Sequence, residues 1–352
     1  MTGHSPGRQL QRRSADRLQG GAHRAAAPKI VALGGGHGLS ASLSALRRLT
    51  ADLTAVVTVA DDGGSSGRLR KELGVLPPGD LRKALAALCG DDEWGRTWSE
   101  VIQHRFAAGR ELHGHTVGNL LIVALWEKLG DHVAALEWVG RLLGAHGRVL
   151  PMSAVPLDIE ATVRGHDPAR PGETGIVRGQ ASVAATPGTV VSIRLLPEDP
   201  PAVPEAVAAV RDADWVVLGP GSWFTSVLPH LMVPELAEAL FATRARRLLT
   251  LNLAPQPGET EGFTPQRHLE VLSSHAPQLM VDAVLVDEGA VTGGAFGDAD
   301  LPGLEKAAGR IGAELVLDRV AAADGTPRHD PELLAAAYDR IFRTHGRIGA
   351  WR

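Results

Sequence analysis

A chain of 352 residues, 44% hydrophobic and 22% charged, has enough apolar material for one large α/β unit or two closely joined lobes. The net charge of −4 gives no footprint for nucleic acid, and the single cysteine, Cys89, excludes an internal disulfide and a CxxC metal site. No apolar run reaches the roughly 18 residues of a bilayer span.

Residues 1–28 read as a disordered leader rich in Gly, Ala and Arg, with no apolar core of a secretory signal. A first α/β half is expected over 29–148. Ile30-Val31-Ala32-Leu33 predicts a strand, and a glycine turn carrying Gly35, Gly36, His37 and Gly38 opens a helix patterned by Leu39, Leu43, Leu46 and Leu49. Backbone amides at such a helix start, aided by its dipole, hold a diphosphate. His37 is either a phosphate contact or a neutral spacer at the loop tip. Gly36, Gly38 and Ala41 also satisfy GxGxxA, and Asp61 falls where a dinucleotide fold places its ribose acid, which leaves an NAD-dependent oxidoreductase open at this point. Against it, the acid is doubled.

The run Asp61-Asp62-Gly63-Gly64-Ser65-Ser66-Gly67-Arg68-Leu69-Arg70 follows the strand expected over 53–59. Its glycines admit a phosphate to the backbone, its serines donate, and Arg68 and Arg70 add charge-assisted donors. Two acids there would repel a phosphate unless they face a ribose, a metal ion or a nucleophile that needs a base. The competing reading is a polar surface loop. Asp80 caps the next helix or joins the site. Cys89, ending that Ala-Leu helix, reads as a small buried hydrophobe, and Trp94, Trp98, Val101 and Ile102 mark another helix. His113 and His115 have the spacing of a metal pair but no third ligand nearby. Gly118 and Asn119, at the start of an apolar helix over 120–129, read as a second loop facing the same ligand, and 133–143 reads as a scaffold helix.

Over 149–196 short alternating stretches between Pro and Gly turns predict antiparallel hairpins, an insertion without obvious chemistry. A second α/β half is expected over 197–345, with a tail at 346–352. In it, a buried strand at 214–218 runs into Gly219-Pro220-Gly221-Ser222, a strand at 247–253 exits through Gln256-Pro257-Gly258-Glu259-Thr260, a strand follows at 281–286 and a closing helix at 332–342. Loops at the carboxyl ends of parallel strands share one sheet edge, so Gly219, Gly221 and Ser222 can meet the first two loops across a crevice. The fold class expected is α/β: a Rossmann-like, mostly parallel sheet with helices on both faces and a small antiparallel β insertion.

Together, Gly34 to Ser40, Ala60 to Arg70, Pro77-Pro78-Gly79-Asp80-Leu81-Arg82, Gly114 to Asn119, Gly219 to Ser222 and Gln256 to Thr260 resemble the YvcK-type family of gluconeogenesis factors. More distantly they resemble the CofD-type 2-phospholactate transferases. The likeness runs from Lys29 to Val286. His37 stands where the family usually has threonine, and Trp223 where it often has tyrosine. The resemblance implies a cytoplasmic bacterial protein that binds UDP-sugars such as UDP-GlcNAc or UDP-glucose, needs no cofactor and holds no metal. It also implies a role in cell shape and wall synthesis on gluconeogenic carbon, without established catalysis. The CofD relatives imply the alternative, a Mg²⁺-dependent phosphotransferase with a nucleotide diphosphate donor, in which Asp61 and Asp62 would be catalytic. The partners expected are the nucleotide, a second copy in a homo-oligomer and a cell-wall synthesis protein, with no nucleic acid or membrane span.

Overall fold

The computed structural model describes residues 27–346. The leader and the tail lie outside the described residues, apart from residues 27, 28 and 346. The strands run β1 (Ile30–Gly34), β2 (Leu53–Val57), β3 (Arg148–Pro151), β4 (Asp158–Arg164), β5 (Thr174–Arg178), β6 (Thr189–Leu196), β7 (Trp215–Leu218), β8 (Arg246–Thr250), β9 (Ala283–Asp287), the short hairpin β10 (Thr292–Gly294) and β11 (Gly297–Asp298), and β12 (Glu314–Asp318). Seven of them form one sheet in the order β12-β9-β8-β7-β1-β2-β3, and every pairing in it is parallel. β1, β2, β7 and β9 are buried at every residue. Strands covered on both faces need apolar side chains at successive positions, so they read as continuous apolar runs and not as alternation.

The chain winds outward from β1 to β2 and β3, then returns to the other side of β1 and winds the opposite way through β7, β8, β9 and β12. The reversal falls between β1 and β7, paired from Ile30↔Trp215 to Leu33↔Leu218. In an open α/β sheet the crevice outside the carboxyl ends at such a point is where ligands bind.

Helices α1 (Gly36–Leu46), α2 (Gly64–Leu73), α3 (Gly79–Ala87), α4 (Glu93–Gln103), α5 (Val117–Leu129) and α6 (His132–Leu143) precede β3. The expected helix starts are set by capping side chains: Asp92 accepts from the Gly95 amide at α4, and Asp131 from Val133 and Ala134 at α6. After α7 (Gln180–Ala184), α8 (Pro204–Asp212), α9 (Pro234–Ala242), α10 (Pro265–His275), the turn α11 (Glu288–Val291), α12 (Leu301–Arg310) and α13 (Pro331–Gly346) complete the layers. Buried Tyr338 on α13 bonds Ser42 Oγ of α1 at 2.8 Å and Thr250 Oγ1 of β8 at 3.0 Å, fixing the last helix beneath the sheet edge that carries the crevice.

The insertion is narrower than its expected span. Arg148–Pro151 is the edge strand of the main sheet, and the separate antiparallel sheet, ordered β5-β4-β6, begins at Asp158. β12 was not foreseen because, at the opposite edge, it is only partly covered and mixes Glu314 and Asp318 with three apolar residues.

Candidate functional site

The first glycine loop forms one wall. Gly36 has φ +60°, and a Cβ there would meet no heavy atom within 4 Å, so its bare face looks into open space. Gly38 serves another purpose: a Cβ there would lie 2.3 Å from the Pro220 carbonyl oxygen and 2.6 Å from Gly221 Cα. The two loops flanking the switch point touch through that missing side chain. Gly221 is held by both ends of the Asn252 amide, which accepts from its N–H at 2.9 Å and donates to its carbonyl at 2.8 Å.

Behind the second loop stands Glu259, 3% exposed, accepting from Ser222 Oγ at 2.5 and 2.7 Å and from the Phe224 amide at 3.0 Å. Burial pushes its carboxyl above the ordinary range, opposed by those hydrogen bonds. On the first-half side, Asp61 Oδ1 accepts the Gly63 amide at 2.9 Å, closing a side-chain turn. Its pKa is raised, first by burial and then by Asp80 nearby. Asp80, 4% exposed, is paired with Lys83 Nζ at 3.0 Å, one turn further along α3. Burial, and then Lys83, lowers the His37 pKa.

These groups bound two adjoining crevices with His37, Gly38, Gly221, Gln256 and Pro257 in common. One, of about 440 Å³, is polar: Asp61, Asp80 and Glu259 face it with Lys83, Gln180, Ser222, Thr225 and Ser226. The other, of about 400 Å³, is lined by Ala41, Pro220, Leu253, Ala254, Pro255 and Pro327, together with Asn252, Arg328 and His329. Burial pushes the His329 imidazole down to about 4, and its Nε2 has no partner among the described residues.

Of the residues expected at the site, Gly35, Gly36, His37, Gly38, Asp61, Asp80, Gly221 and Ser222 line these crevices. The others do not. Asp62 turns to the insertion and accepts the Ala181 amide at 2.8 Å. Gly63 closes the Asp61 turn, and Gly64, at φ +48°, starts α2. Ser65 and Ser66 are buried against Asn119, whose Nδ2 lies 3.0 Å from Ser65 Oγ and whose Oδ1 accepts from Arg82 Nε at 3.0 Å. Gly118 lets α5 pass Arg82 and the Ile102 carbonyl, and the Gly219 carbonyl accepts from Ser42. Arg68 and Arg70 are engaged elsewhere: Arg68 donates to the His113 carbonyl at 2.7 Å, and Arg70 to the Leu157 carbonyl and to Asp158, each at 2.8 Å. The His113 and His115 rings have separate partners, the Ala107 carbonyl and Ser65 Oγ. Cys89 is buried, its thiol pushed up to about 11.

Sequence reasoning missed Lys83, Gln180, Glu259 as a site residue, Arg328 and His329. Two of them carried a usable signal: Lys83 as an amine one helical turn after Asp80, and Glu259 in the Gln256–Thr260 strand exit. Gln180 comes from the insertion that promised no chemistry.

A parallel sheet whose switch point is flanked by glycine loops, with acids at the second strand's exit, places the chain in a class defined by comparison. It matches the family model described as 2-phospho-L-lactate transferase CofD over residues 30–302. A Mycobacterium tuberculosis H37Rv protein, provisionally named a gluconeogenesis factor, is 55% identical over 312 residues, covering 89% of this chain and 90% of its own. The gluconeogenesis factor of Bacillus subtilis is 38% identical over 260 residues, 74% of this chain and 78% of that one. A solved Bacillus halodurans structure, from a member of the UPF0052 family, superposes with a TM-score of 0.77 at 34% identity, over 88% of this chain and 97% of its own. The chain belongs to the gluconeogenesis factor family, a branch of the CofD-like proteins.

Proposed function

We propose that the protein binds a nucleoside diphosphate sugar of the UDP-GlcNAc or UDP-glucose kind and acts as a regulatory sensor without turnover. The observation that carries this reading is the unlike character of the two adjoining crevices. The apolar one, with its proline walls, suits a planar base. The other offers three carboxylates and three hydroxyl side chains, acceptors and donors suited to a polyol and repellent to phosphate. The amides that open α1 lie at the junction, where an anionic link between base and sugar is best received, and Lys83 supplies a cation. In this reading Gly35, Gly36, His37, Gly38, Asp61, Asp80, Gly221 and Ser222 form the ligand wall, while Asp62, Ser65, Ser66, Arg68 and Asn119 brace the loops behind it.

One observation favours a second reading, a Mg²⁺-dependent phosphotransferase. Asp61 and Asp80 share the crevice closely enough for Asp80 to raise the Asp61 pKa, and Arg68 and Arg70 are engaged elsewhere. The acid beside Asp61 is thus Asp80, not Asp62. No group of three or more metal-ligating residues is gathered among the described residues, so a bound Mg²⁺ would draw its remaining oxygens from ligand phosphates and water. Such an ion would neutralise charge developing on a transferred phosphoryl group. Calorimetric titration with UDP-GlcNAc, UDP-glucose and GDP, each with and without Mg²⁺, separates the two. Tight UDP-sugar binding indifferent to metal supports the sensor; metal-dependent GDP binding with turnover supports the transferase.

From family membership we carry over a role in cell shape and wall synthesis on gluconeogenic carbon, action in the cytoplasm as a homo-oligomer, and a wall-synthesis protein as partner. Among the described residues no helix is long and apolar enough to cross a membrane. Normal growth and shape of a deletion strain on a gluconeogenic carbon source would refute that role.

A further inference from the structure

The antiparallel insertion reaches into the crevice. β5 ends at Arg178, Gly179 with φ +96° turns the chain into α7, and Asp62 Oδ1 accepts the Ala181 amide there. The seating is close on both sides: a Cβ on Gly179 would stand 2.1 Å from Asp62 Oδ2, and one on Gly258 2.4 Å from the Ala184 carbonyl oxygen. This brings Gln180, Ala181 and Ala184 into the wall of the polar crevice. Gln180 Oε1 is enclosed and has no hydrogen-bond partner among the described residues. Buried amide groups are almost always paired, so an orphan on a residue that lines a ligand crevice points to a partner that arrives with the ligand. Enclosed as it stands, the atom meets such a partner by a turn of the Gln180 side chain into the crevice, whichever way round the amide sits.

The same crevice identifies that group. Asp61, Asp80 and Glu259 face it, and ionised carboxylates accept hydrogen bonds but repel phosphate. A group placed among them, away from the Lys83 ammonium, is a donor without negative charge, which on a nucleotide sugar means a sugar hydroxyl or an N-acyl N–H. We infer that the insertion is the sugar-reading element of the protein and that the Gln180 amide is its specificity-determining residue. The inference rests on the nucleotide-sugar reading above and assigns one end of that ligand to one side chain.

Titrations of wild-type protein, Gln180→Ala and Gln180→Leu with UDP, UDP-glucose and UDP-GlcNAc test it. Wild-type protein is expected to bind at least one UDP-sugar more tightly than UDP. Both variants are expected to lose about tenfold in affinity for that sugar nucleotide, the scale of one buried hydrogen bond, while their affinity for UDP is unchanged. Unchanged UDP binding is also the control that the variants are folded. Loss shared equally by UDP and the sugars overturns the inference, as does no loss at all. Wild-type protein that binds UDP but gains nothing from the sugar overturns it and leaves the nucleotide reading standing. Wild-type protein that binds none of the three overturns both.

Discussion

The charge that meets a diphosphate is assigned differently by motif and by geometry, and a pair of substitutions separates them. Arg68 and Arg70 follow the glycine-serine bend, yet both donate to protein carbonyls away from the crevice. Lys83, on α3, lines it. A phosphate oxygen about 4 Å from the Lys83 ammonium gains roughly 4 kcal/mol at an effective dielectric of about 20. Asp80, 3.0 Å from the same nitrogen, already neutralises part of that charge; about 2 kcal/mol then remains, some 30-fold in Kd. Lys83→Met should therefore weaken UDP binding about 30-fold by calorimetry at physiological salt, and Arg68→Ala less than about twofold, because Arg68 is held on the His113 carbonyl and lines neither crevice. Lys83→Met also strips buried Asp80 of its partner, so the double variant Asp80→Asn/Lys83→Met should recover thermal stability without recovering affinity. Equal losses from Lys83→Met and Arg68→Ala, or a silent Lys83→Met, would refute the assignment.

Gly36→Val should abolish nucleotide binding, since the branched side chain fills the open space beside the loop, and should also lower thermal stability, since φ +60° strains a β-branched residue; Gly38→Ala should lower thermal stability through overpacking of about 1–3 kcal/mol against Pro220 and Gly221. Near-identical melting curves for Gly38→Ala and wild type would show that the two loops do not touch as described. Asp61 is held above the ordinary carboxylate range by burial and then by Asp80, so its ionisation costs the folded state free energy. That penalty is absent below the unfolded pKa, grows as pH rises towards the raised folded value and is complete above it. Asp61→Asn should accordingly raise the urea midpoint at pH 7, with an advantage that fades on acidification; an advantage growing towards acid would contradict the sign. Tyr338→Phe removes a buried hydroxyl shared by Ser42 and Thr250 and should cost about 1–2 kcal/mol in equilibrium unfolding while leaving nucleotide affinity unchanged.

The amino-acid sequence by itself determined the fold class and most of the elements. Continuous apolar runs such as Ile30-Val31-Ala32-Leu33 and Trp215-Val216-Val217-Leu218, each ending in glycine and opening a helix, are what strands buried on both faces require. They foretold a parallel sheet with its loops at one edge. Gly36 and Asp61 were legible as wall residues because a backbone turn with φ above zero and a carboxylate at a strand exit are local demands. What the tertiary structure decided is which side chains face inward. Asp61 and Asp62 are neighbours in sequence, yet one lines the crevice and the other anchors the insertion through the Ala181 amide, a contact between segments more than a hundred residues apart. Arg68 and Arg70 belong to α2, whose first turn packs Ser65 and Ser66 inward beside Asn119 and leaves the arginines to other partners. Lys83, Gln180 and Glu259 come together only because β1 pairs with a strand about 185 residues later and the insertion folds back over the junction. Strand order is set by long-range packing between segments whose local patterns are alike, so no local pattern records it.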